Sequence, residues 1–281
     1  MVVWSRLMAG IVTNKAIMTQ LRHLQMVILD IVKDIDELCR KNNIDYYLLG
    51  GSAIGAIRHK GFIPWDDDLD LIMSSENYER FIRVCREQLD STKYYIQEGL
   101  KDWPLYFSKI KLKGTRLTEI DGYALNDDAK GIFVDVFKMD NVPNSRIGQY
   151  WQYFCAKYFL CYQLSERTFN SAAFQKKLML FFALPLRISI VRNFVKNQVE
   201  KYNKCTTDYW GFFYGRTRFK TSRVKKSMMG KPLRVPFEDT MLPVPEHYHE
   251  YLTQMFGDYM TPPPPEKQVG LHLIDVDFGE Y

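Results

Sequence analysis

Four aspartates fall within five positions in the stretch WDDDLD, residues 65–70. Carboxylates this close repel one another, and a carboxylate removed from water without a partner is costly. We therefore expect a cation to share their site. Oxygen ligands favour hard cations, so Mg²⁺ is the expected metal when a phosphate is bound nearby, with Mn²⁺ as a substitute.

The alternation of side chains along a strand separates these aspartates into two groups. The sequence DLDLIM, residues 68–73, predicts a strand in which successive side chains point to opposite faces. Asp68 and Asp70 then share a face, roughly 6–7 Å apart along the backbone, so that both can bind one ion or two neighbouring ions. Asp66 joins them as a supporting acid if the strand begins early. Asp67 faces away or caps the strand, and we expect it to tolerate substitution.

A third acid, Asp135, lies in the strand-like sequence GIFVDVFKMD, residues 131–140. An acid flanked by apolar residues within a strand should be partly buried, which is unusual for a side chain without a special role. If this strand lies beside residues 68–73, Asp135 completes the metal site. It could also act as the base that accepts a proton from an incoming hydroxyl.

A glycine turn precedes the aspartates and predicts a phosphate site. A strand ends in Gly50-Gly51-Ser52, and a short helix is expected to begin with Ser52 as its N-cap. Backbone N–H groups at a helix N-terminus bind phosphate oxygens, and glycine permits their close approach. Arg58 and His59 lie between this turn and the aspartates, where they could neutralise a phosphate.

Other charged residues are less specific signals. Lys109 and Lys111 alternate along a predicted strand, where they either reach a phosphate or mark the solvated face of the sheet. Residues 216–231 contain seven Lys or Arg and no acid. This basic stretch fits a solvated face or a site for phosphate or lipid headgroups. His247 and His249 are interpreted as surface residues.

The elements needed to position these residues can also be predicted. Apolar residues at steps of three and four predict a helix of about 25 residues from Ile17 that ends at Asn42 or Asn43. Strands and helices alternate in the first half, and helices dominate residues 145–204. The fold class is therefore α/β (α+β), a mixed sheet flanked by helices with a helical addition. Its segments are 1–145, 146–230 and 231–281, within one integrated domain.

Composition limits the class of protein and its surroundings. The chain has 281 residues, 46% hydrophobic and 25% charged, with a net charge of +5, which suits an anionic substrate or a membrane surface. The five cysteines include no CxxC pair, so we expect free thiols in a reducing compartment and no zinc site. Without a nucleic-acid-binding module, a nucleic-acid partner is not expected.

One apolar segment raises the question of membrane contact. The sequence LMLFFALPLRISIV, residues 178–191, is too short to span a bilayer and contains Pro185 and Arg187. It predicts either a core helix or a helix that lies against a membrane. The protein is expected in the cytoplasm, with association to the inner membrane surface as the second possibility.

Four segments resemble the LicD family of phosphotransferases, part of the nucleotidyltransferase-fold superfamily that includes fukutin and fukutin-related protein. The central motif is LLGGSAIGAIRHKGFIPWDDDLDLIM, residues 48–73. The segment LRHLQMVILDIVKDIDELCRKNNIDYYL resembles the leading helix of the family, and residues 131–140 its third-acid strand. The segment VPEHYHEYLTQMFGDYMTPPPPEKQVGLH is similar to its C-terminal signature. The first dozen residues and residues 146–220 lie outside the resemblance.

The resemblance implies transfer of a phosphorylated alcohol, such as phosphocholine or a phospho-alditol, from a CDP-linked donor to a glycan or glycolipid acceptor. The substrate phosphates would lie on Gly50, Gly51 and Ser52. The metal would lie on Asp68, Asp70 and Asp135, with Asp66 in support. Arg58, His59, Lys267 and His272 match family motifs, but the resemblance leaves the roles of the last two open. Residues 1–145 would form the catalytic core and 146–230 the acceptor-specific region.

Two alternatives remain at this point. A nucleotidyltransferase would attack the α-phosphorus and release pyrophosphate instead of CMP, and D-x-D chemistry does not separate the two reactions. A catalytically inactive nucleotide-binding or scaffold protein is the alternative of another class.

Overall fold

The structure is a computed structural model that describes residues 2–119, 126–165, 174–214, 217–268 and 273–281. The helices of the described residues are α1 (Val2–Lys41), α2 (Gly50–Ile54), α3 (Ser75–Gln88), α4 (Arg146–Ser165), α5 (Phe174–Ala183), α6 (Ser189–Glu200), α7 (Lys226–Met229) and α8 (Tyr248–Phe256). The strands are β1 (Tyr47–Leu48), β2 (Asp70–Ser74), β3 (Tyr94–Gln97), β4 (Ser108–Leu112), β5 (Arg116–Glu119), β6 (Phe133–Val142), β7 (Tyr209–Gly211), β8 (Arg223–Lys225), β9 (Leu233–Phe237), β10 (Thr240–Val244) and β11 (Leu273–Asp277).

The main sheet has the order β1-β2-β6-β4-β3. Strands β2 and β6 are parallel and the other neighbours are antiparallel, so the predicted mixed sheet flanked by helices is confirmed. The far end of β6 continues past β4 and pairs with β7, which in turn pairs with β8. The segment that carries the helical addition thus also contributes strands to the core sheet.

Helix α1 is the longest element and packs against β6 and α3. Its apolar stripe is fully buried at Leu24, Ile28, Ile31 and Ile35. Burial of each such side chain contributes about 1.5–3 kcal/mol, which explains why the helix is stable. It has 40 residues instead of the predicted 25 or so and ends as expected, because Asn43 adopts a left-handed φ of 52°.

The elements around the aspartates begin at positions different from those predicted. Helix α2 begins at Gly50 with Leu49 as its N-cap, so Ser52 lies inside the helix. It continues through a π-helical turn, Gly55–His59. Strand β2 begins at Asp70, two residues later than predicted, because its partner β1 is only two residues long and pairs with Leu71 and Ile72.

Helices α4, α5 and α6 confirm the predicted helical region. With the neighbouring loops they enclose a second hydrophobic core, which includes Phe159, Leu186, Val195 and Val199. Helix α8 ends at Phe256 because Gly257 turns the chain with a φ of 73°.

Residues 178–191 do not form a core helix. They are divided among α5, a short 3₁₀ turn and the start of α6. Ala183 and Leu186 are buried, but most of the large apolar side chains are exposed, namely Leu178, Phe181, Phe182, Leu184, Ile188 and Ile190. Within the part of the chain that the structure describes, none of the helices has the length and apolar content needed to cross a bilayer.

Candidate active site

The register of three strands brings the predicted acids together. Asp70 on β2 lies opposite Asp135 on β6, and Asp135 lies opposite Lys109 on β4. Residues in register on neighbouring strands share a face, so these three side chains form a row across the sheet. The backbone of Asp135 is also tied to the loop before β2, because its N–H donates to the Leu69 carbonyl at 3.1 Å.

Lys109 is a buried counter-ion of this row. Its Nζ lies 3.1 Å from Asp135 Oδ1 and 3.3 Å from the centroid of the Phe133 ring. Only 3% of Lys109 and 2% of Lys111 is exposed, so the interpretation of these lysines as a solvated face was wrong. The ion pair therefore places a buried positive charge at the end of the acidic row.

The three consecutive aspartates form a compact cluster. Asp66, Asp67 and Asp68 can each present one carboxylate oxygen such that all three lie within 4.8 Å of one another. Asp67 is buried and belongs to this cluster, so it does not face away as the parity argument predicted. The chain turns before the strand begins, and strand alternation therefore does not apply to residues 66–68. Three oxygens at this spacing fit a hard cation.

The electrostatics of the cluster also fit a cation. Burial, followed by repulsion from Asp68 and Asp67, raises the pKa of Asp66 to about 8. Burial also raises the pKa of Asp70 well above its usual range, with Asp68, Asp135 and Asp66 adding to the effect and Lys109 opposing it. The close oxygen set is Asp66–Asp68, whereas the predicted ligands are Asp68, Asp70 and Asp135. Asp68 belongs to both sets and interacts electrostatically with Asp66 and Asp70.

The glycine turn lies directly against the acidic cluster. A Cβ on Gly51 would lie 2.8 Å from Asp66 Oδ2, so a larger residue would displace that carboxyl from its present position. The Ser52 hydroxyl accepts a hydrogen bond from the Asp70 N–H at 2.9 Å and thereby ties α2 to β2. Its own proton can still be donated, because a hydroxyl has one donor and two acceptor positions. The glycine turn and the acidic cluster are therefore neighbours.

The loop before the aspartates is held by residues that sequence reasoning missed. Gln25 on α1 is buried, and its Nε2 donates to the carbonyls of Ile63 at 3.2 Å and Asp66 at 2.9 Å. Glu238 accepts the Phe62 N–H at 3.1 Å. A signal for Gln25 was present, since it occupies a position on the apolar stripe of the predicted α1. A polar residue there requires hydrogen-bond partners.

Arg58 and His59 make contacts different from those predicted. Arg58 donates through Nη1 to the Tyr259 carbonyl at 2.7 Å and through Nε to His59 Nε2 at 2.9 Å. Burial lowers the pKa of Arg58, and burial with the neighbouring Arg58 charge lowers the pKa of His59. These contacts join the motif to the C-terminal segment. Phosphate binding by Arg58 and His59 stays a prediction.

The two candidates in the C-terminal segment are Lys267 and His272. Lys267 is exposed at the end of the short turn Pro265–Lys267. His272 lies outside the residues that the structure describes.

Aromatic rings continue the face that carries Asp135. Phe137 lies two residues further along β6 and therefore on the same face. Its ring centroid is 4.4 Å from that of Phe107 and 5.3 Å from that of Phe212, and all three rings are partly exposed. Aromatic faces attract organic cations, including quaternary ammonium groups.

Comparisons with known proteins place these features in a wider context. Residues 43–175 match the family described as LicD/FKTN/FKRP, nucleotidyltransferase domain. The chain is similar to Lipopolysaccharide cholinephosphotransferase LicD of Haemophilus influenzae, with 33% identity over 272 residues that cover 90% of this chain and 96% of that protein. It is also similar to uncharacterized proteins of Rickettsia typhi (44% identity over 54 residues, 19% of this chain and 18% of that protein) and Rickettsia prowazekii (46% over 67 residues, 23% and 25%).

Proposed function

The chain belongs to the LicD family, and from this premise we propose that it transfers a phosphorylated alcohol from a CDP-linked donor to a sugar of a cell-surface glycan. The observation that carries the proposal is the similarity over 90% of the chain to a lipopolysaccharide cholinephosphotransferase. It is supported by the register that brings Asp70, Asp135 and Lys109 into one row beside Asp68 and the glycine turn.

Among phosphorylated alcohols, phosphocholine is the first candidate. The related protein from Haemophilus influenzae carries cholinephosphotransferase in its name. The aromatic rings of Phe107, Phe137 and Phe212 support this choice, because they lie beside Asp135 and suit a quaternary ammonium group.

In the proposed reaction, the acceptor hydroxyl attacks the β-phosphorus of the donor, a new P–O ester forms, and the bond from this phosphorus to CMP breaks. Gly50, Gly51 and Ser52 hold the substrate phosphates. Asp135 accepts the hydroxyl proton, and Lys109 keeps that carboxyl ionised before the transfer.

The carboxylates are proposed to hold Mg²⁺, with Mn²⁺ as a substitute, through Asp68, Asp70 and Asp135, with Asp66 in support. When bound, the metal would neutralise charge on the phosphate oxygens. The fit rests on the three close oxygens of residues 66–68 and on the raised pKa values of Asp66 and Asp70, because a bound cation would offset the cost of ionising these carboxyls together.

The test is CMP release from CDP-choline in the presence of Mg²⁺ and a lipopolysaccharide acceptor. We expect Asp68→Asn and Asp70→Asn each to lower the rate at least 100-fold while far-UV circular dichroism stays unchanged. Asp30→Asn, an exposed carboxylate on α1, is the matched control and should retain the wild-type rate. Near-normal turnover in either variant would contradict the proposal that Asp68 and Asp70 hold the metal.

The same assay separates the alternatives. Release of pyrophosphate from a nucleoside triphosphate, without CMP from CDP-choline, would indicate a nucleotidyltransferase. Calorimetric binding of CDP-choline and Mg²⁺ with neither product would indicate an inactive binding protein.

We also propose a cytoplasmic location next to the inner membrane surface, and no nucleic-acid partner. Within the described residues the cysteines Cys39, Cys85, Cys155, Cys161 and Cys205 are free thiols, which suits a reducing compartment. Cell fractionation would test the location.

A further inference from the structure

The exposed apolar side chains of this protein are concentrated in one region. Within the described residues, eleven of the seventeen exposed large hydrophobic side chains lie on α4, α5, the turn after α5, and α6. We call this surface the helical face. It comprises Ile147, Tyr150, Trp151, Phe154, Leu178, Phe181, Phe182, Leu184, Ile188, Ile190 and Phe194. Apolar surfaces of this extent usually mark a site of interaction with a protein or a membrane.

Helix α4 contributes a continuous stripe to the helical face. Ile147, Tyr150, Trp151 and Phe154 follow steps of three and one, so they lie on the same side of the helix. Ile147 is 85% exposed. The opposite side of α4 is already used in the core, where Phe159 is buried. The exposed stripe is therefore apolar surface in addition to what the fold requires.

The segment from α5 to α6 repeats this arrangement. Leu186 and Val195 pack into the same core as Phe159, while Ile190 and Phe194 point outward with exposures of 79% and 54%. Helices α4 and α6 are adjacent, because Trp151 Nε1 donates to Gln198 Oε1 at 3.1 Å. Exposed apolar residues of neighbouring helices thus belong to one surface.

The charge of this region is strongly one-sided. Residues 146–200 contain eight Lys or Arg and two acids, Glu166 and Glu200, and Glu200 is paired with Lys138 on β6. Of these basic residues, Arg146, Lys177 and Arg187 are exposed.

The described part of the basic stretch, residues 217–231, adjoins the same surface. Tyr150 stacks on Phe219 with a centroid distance of 4.1 Å, and the Arg223 guanidinium lies 4.2 Å from the Phe219 ring. Arg223 is also close enough to Arg146 for the two charges to interact.

We propose that the helical face docks onto an anionic phospholipid bilayer surface. Aromatic and aliphatic side chains would enter the apolar boundary of the lipid, and the surrounding Lys and Arg side chains would contact lipid phosphates. This combination is the chemistry of helices that lie in a membrane interface. The inference goes beyond the proposed reaction, although it fits a reaction on a membrane-bound glycolipid.

Charge complementarity favours lipid over a second copy of the chain. A symmetric dimer would place the same patch on both sides of the interface. The basic residues of one copy would then face those of the other, with almost no acid in the region to pair with them. An anionic lipid surface supplies the missing negative charge.

The experiment is co-sedimentation of the full chain with vesicles of phosphatidylglycerol and phosphatidylethanolamine, compared with phosphatidylcholine vesicles. We expect binding to the anionic vesicles, weakened by salt. The triple variant Phe154→Ser/Ile190→Ser/Phe194→Ser should lose at least 10-fold in partition. The control variant Leu233→Ser/Met241→Ser/Phe256→Ser removes exposed apolar residues elsewhere and should bind like the wild type.

A second variant tests the basic residues of the helical face. The substitutions Arg146→Gln/Lys177→Gln/Arg187→Gln should lower binding to the anionic vesicles specifically.

Several outcomes would overturn the proposal. They are absence of wild-type binding to anionic vesicles, equal binding by the Phe154 triple variant, or a wild-type dimer in light scattering that this variant dissociates. Vesicle binding requires neither donor nor turnover, so it can succeed or fail independently of the CMP-release assay. CMP release onto a water-soluble sugar acceptor should be unchanged in the Phe154 triple variant.

Discussion

Asp66 is the side chain in which a proton and a cation compete most directly. Burial and the adjacent carboxylates raise its pKa to about 8, far above the value of about 4 in the unfolded chain. Between these two values the folded protein holds more protons at Asp66 than the unfolded protein does. The contribution of Asp66 to the free energy of unfolding is therefore present below pH 4 and is lost as pH rises towards 8.

We expect metal-free wild-type protein to lose stability relative to Asp66→Asn between pH 5 and pH 8, by at most about 1.4 kcal/mol per pH unit. Urea unfolding of both proteins at several pH values measures this difference. Stabilisation by Mg²⁺ should grow over the same range, because the metal displaces the proton. A difference between the two proteins that does not change with pH would contradict the assignment.

Lys109 is the residue whose importance the sequence left open. Lys109→Met removes the cation 3.1 Å from Asp135, and loss of one partner of a buried ion pair costs about 3 kcal/mol. We expect this loss in the urea unfolding of the metal-free protein, together with slower CMP release. Lys111→Met is the matched control, since Lys111 is equally buried and lies over the same Phe133 ring. Equal effects of the two variants on CMP release would argue against a special role for Lys109.

At the scale of elements, the first turn of α2 and the loop before β2 have to fit together. Gly51→Ala would push against the Asp66 carboxyl, so we expect at least a 10-fold fall in CMP release. Gly114→Ala is the control, because Gly114 has a left-handed φ of 76° but no atom within 4 Å of an added Cβ, and it lies outside the proposed site. It should cost about 1 kcal/mol of stability with little loss of activity. Similar rates for the two variants would show that the contact with Asp66 has no functional effect.

Strand alternation predicts side-chain positions only for residues that actually lie in a strand. Strand alternation correctly placed Asp135 on a buried strand, because apolar residues surround it on both sides. It failed for Asp67, since residues 66–68 lie in a loop whose path is set by Gln25 on α1 and by Glu238. These two partners are distant in the chain, and their contacts depend on how the helix and the β9–β10 hairpin pack.

At the scale of the whole molecule, a buried polar network joins β6 to the helical addition. Lys138 Nζ lies 2.8 Å from Glu200 Oε1, 3.4 Å from Asp140 Oδ1 and 3.1 Å from the Tyr106 hydroxyl. Asn203 donates to the other side of the network, at Asp140 Oδ1. The polar network and the pairing with β7 both involve β6. Strand β6 therefore connects the core sheet to the helical addition.

We expect Lys138→Met to lower the free energy of unfolding by about 3 kcal/mol, because it leaves buried carboxylates without their cation. Unfolding should remain a single transition, since β6 runs through both parts. Lys196→Met is the matched control, as Lys196 pairs with the same Glu200 at 3.6 Å but is partly exposed, and it should cost less than about 1 kcal/mol. Two separate calorimetric transitions in the wild type would contradict the prediction that the core sheet and the helical addition unfold together.

The sequence alone determined the fold class and predicted the chemistry. Residue type, alternation and the spacing of glycines and aspartates are local properties, and together they predicted the mixed sheet and a site at Gly51, Ser52, Asp68, Asp70 and Asp135. Only the tertiary structure decided that Lys109 pairs with Asp135, that Asp67 is buried, and that residues 178–191 lie at the surface. Each of these facts depends on strand order, register or helix packing, which bring together residues far apart in the chain and leave no periodic signal within it.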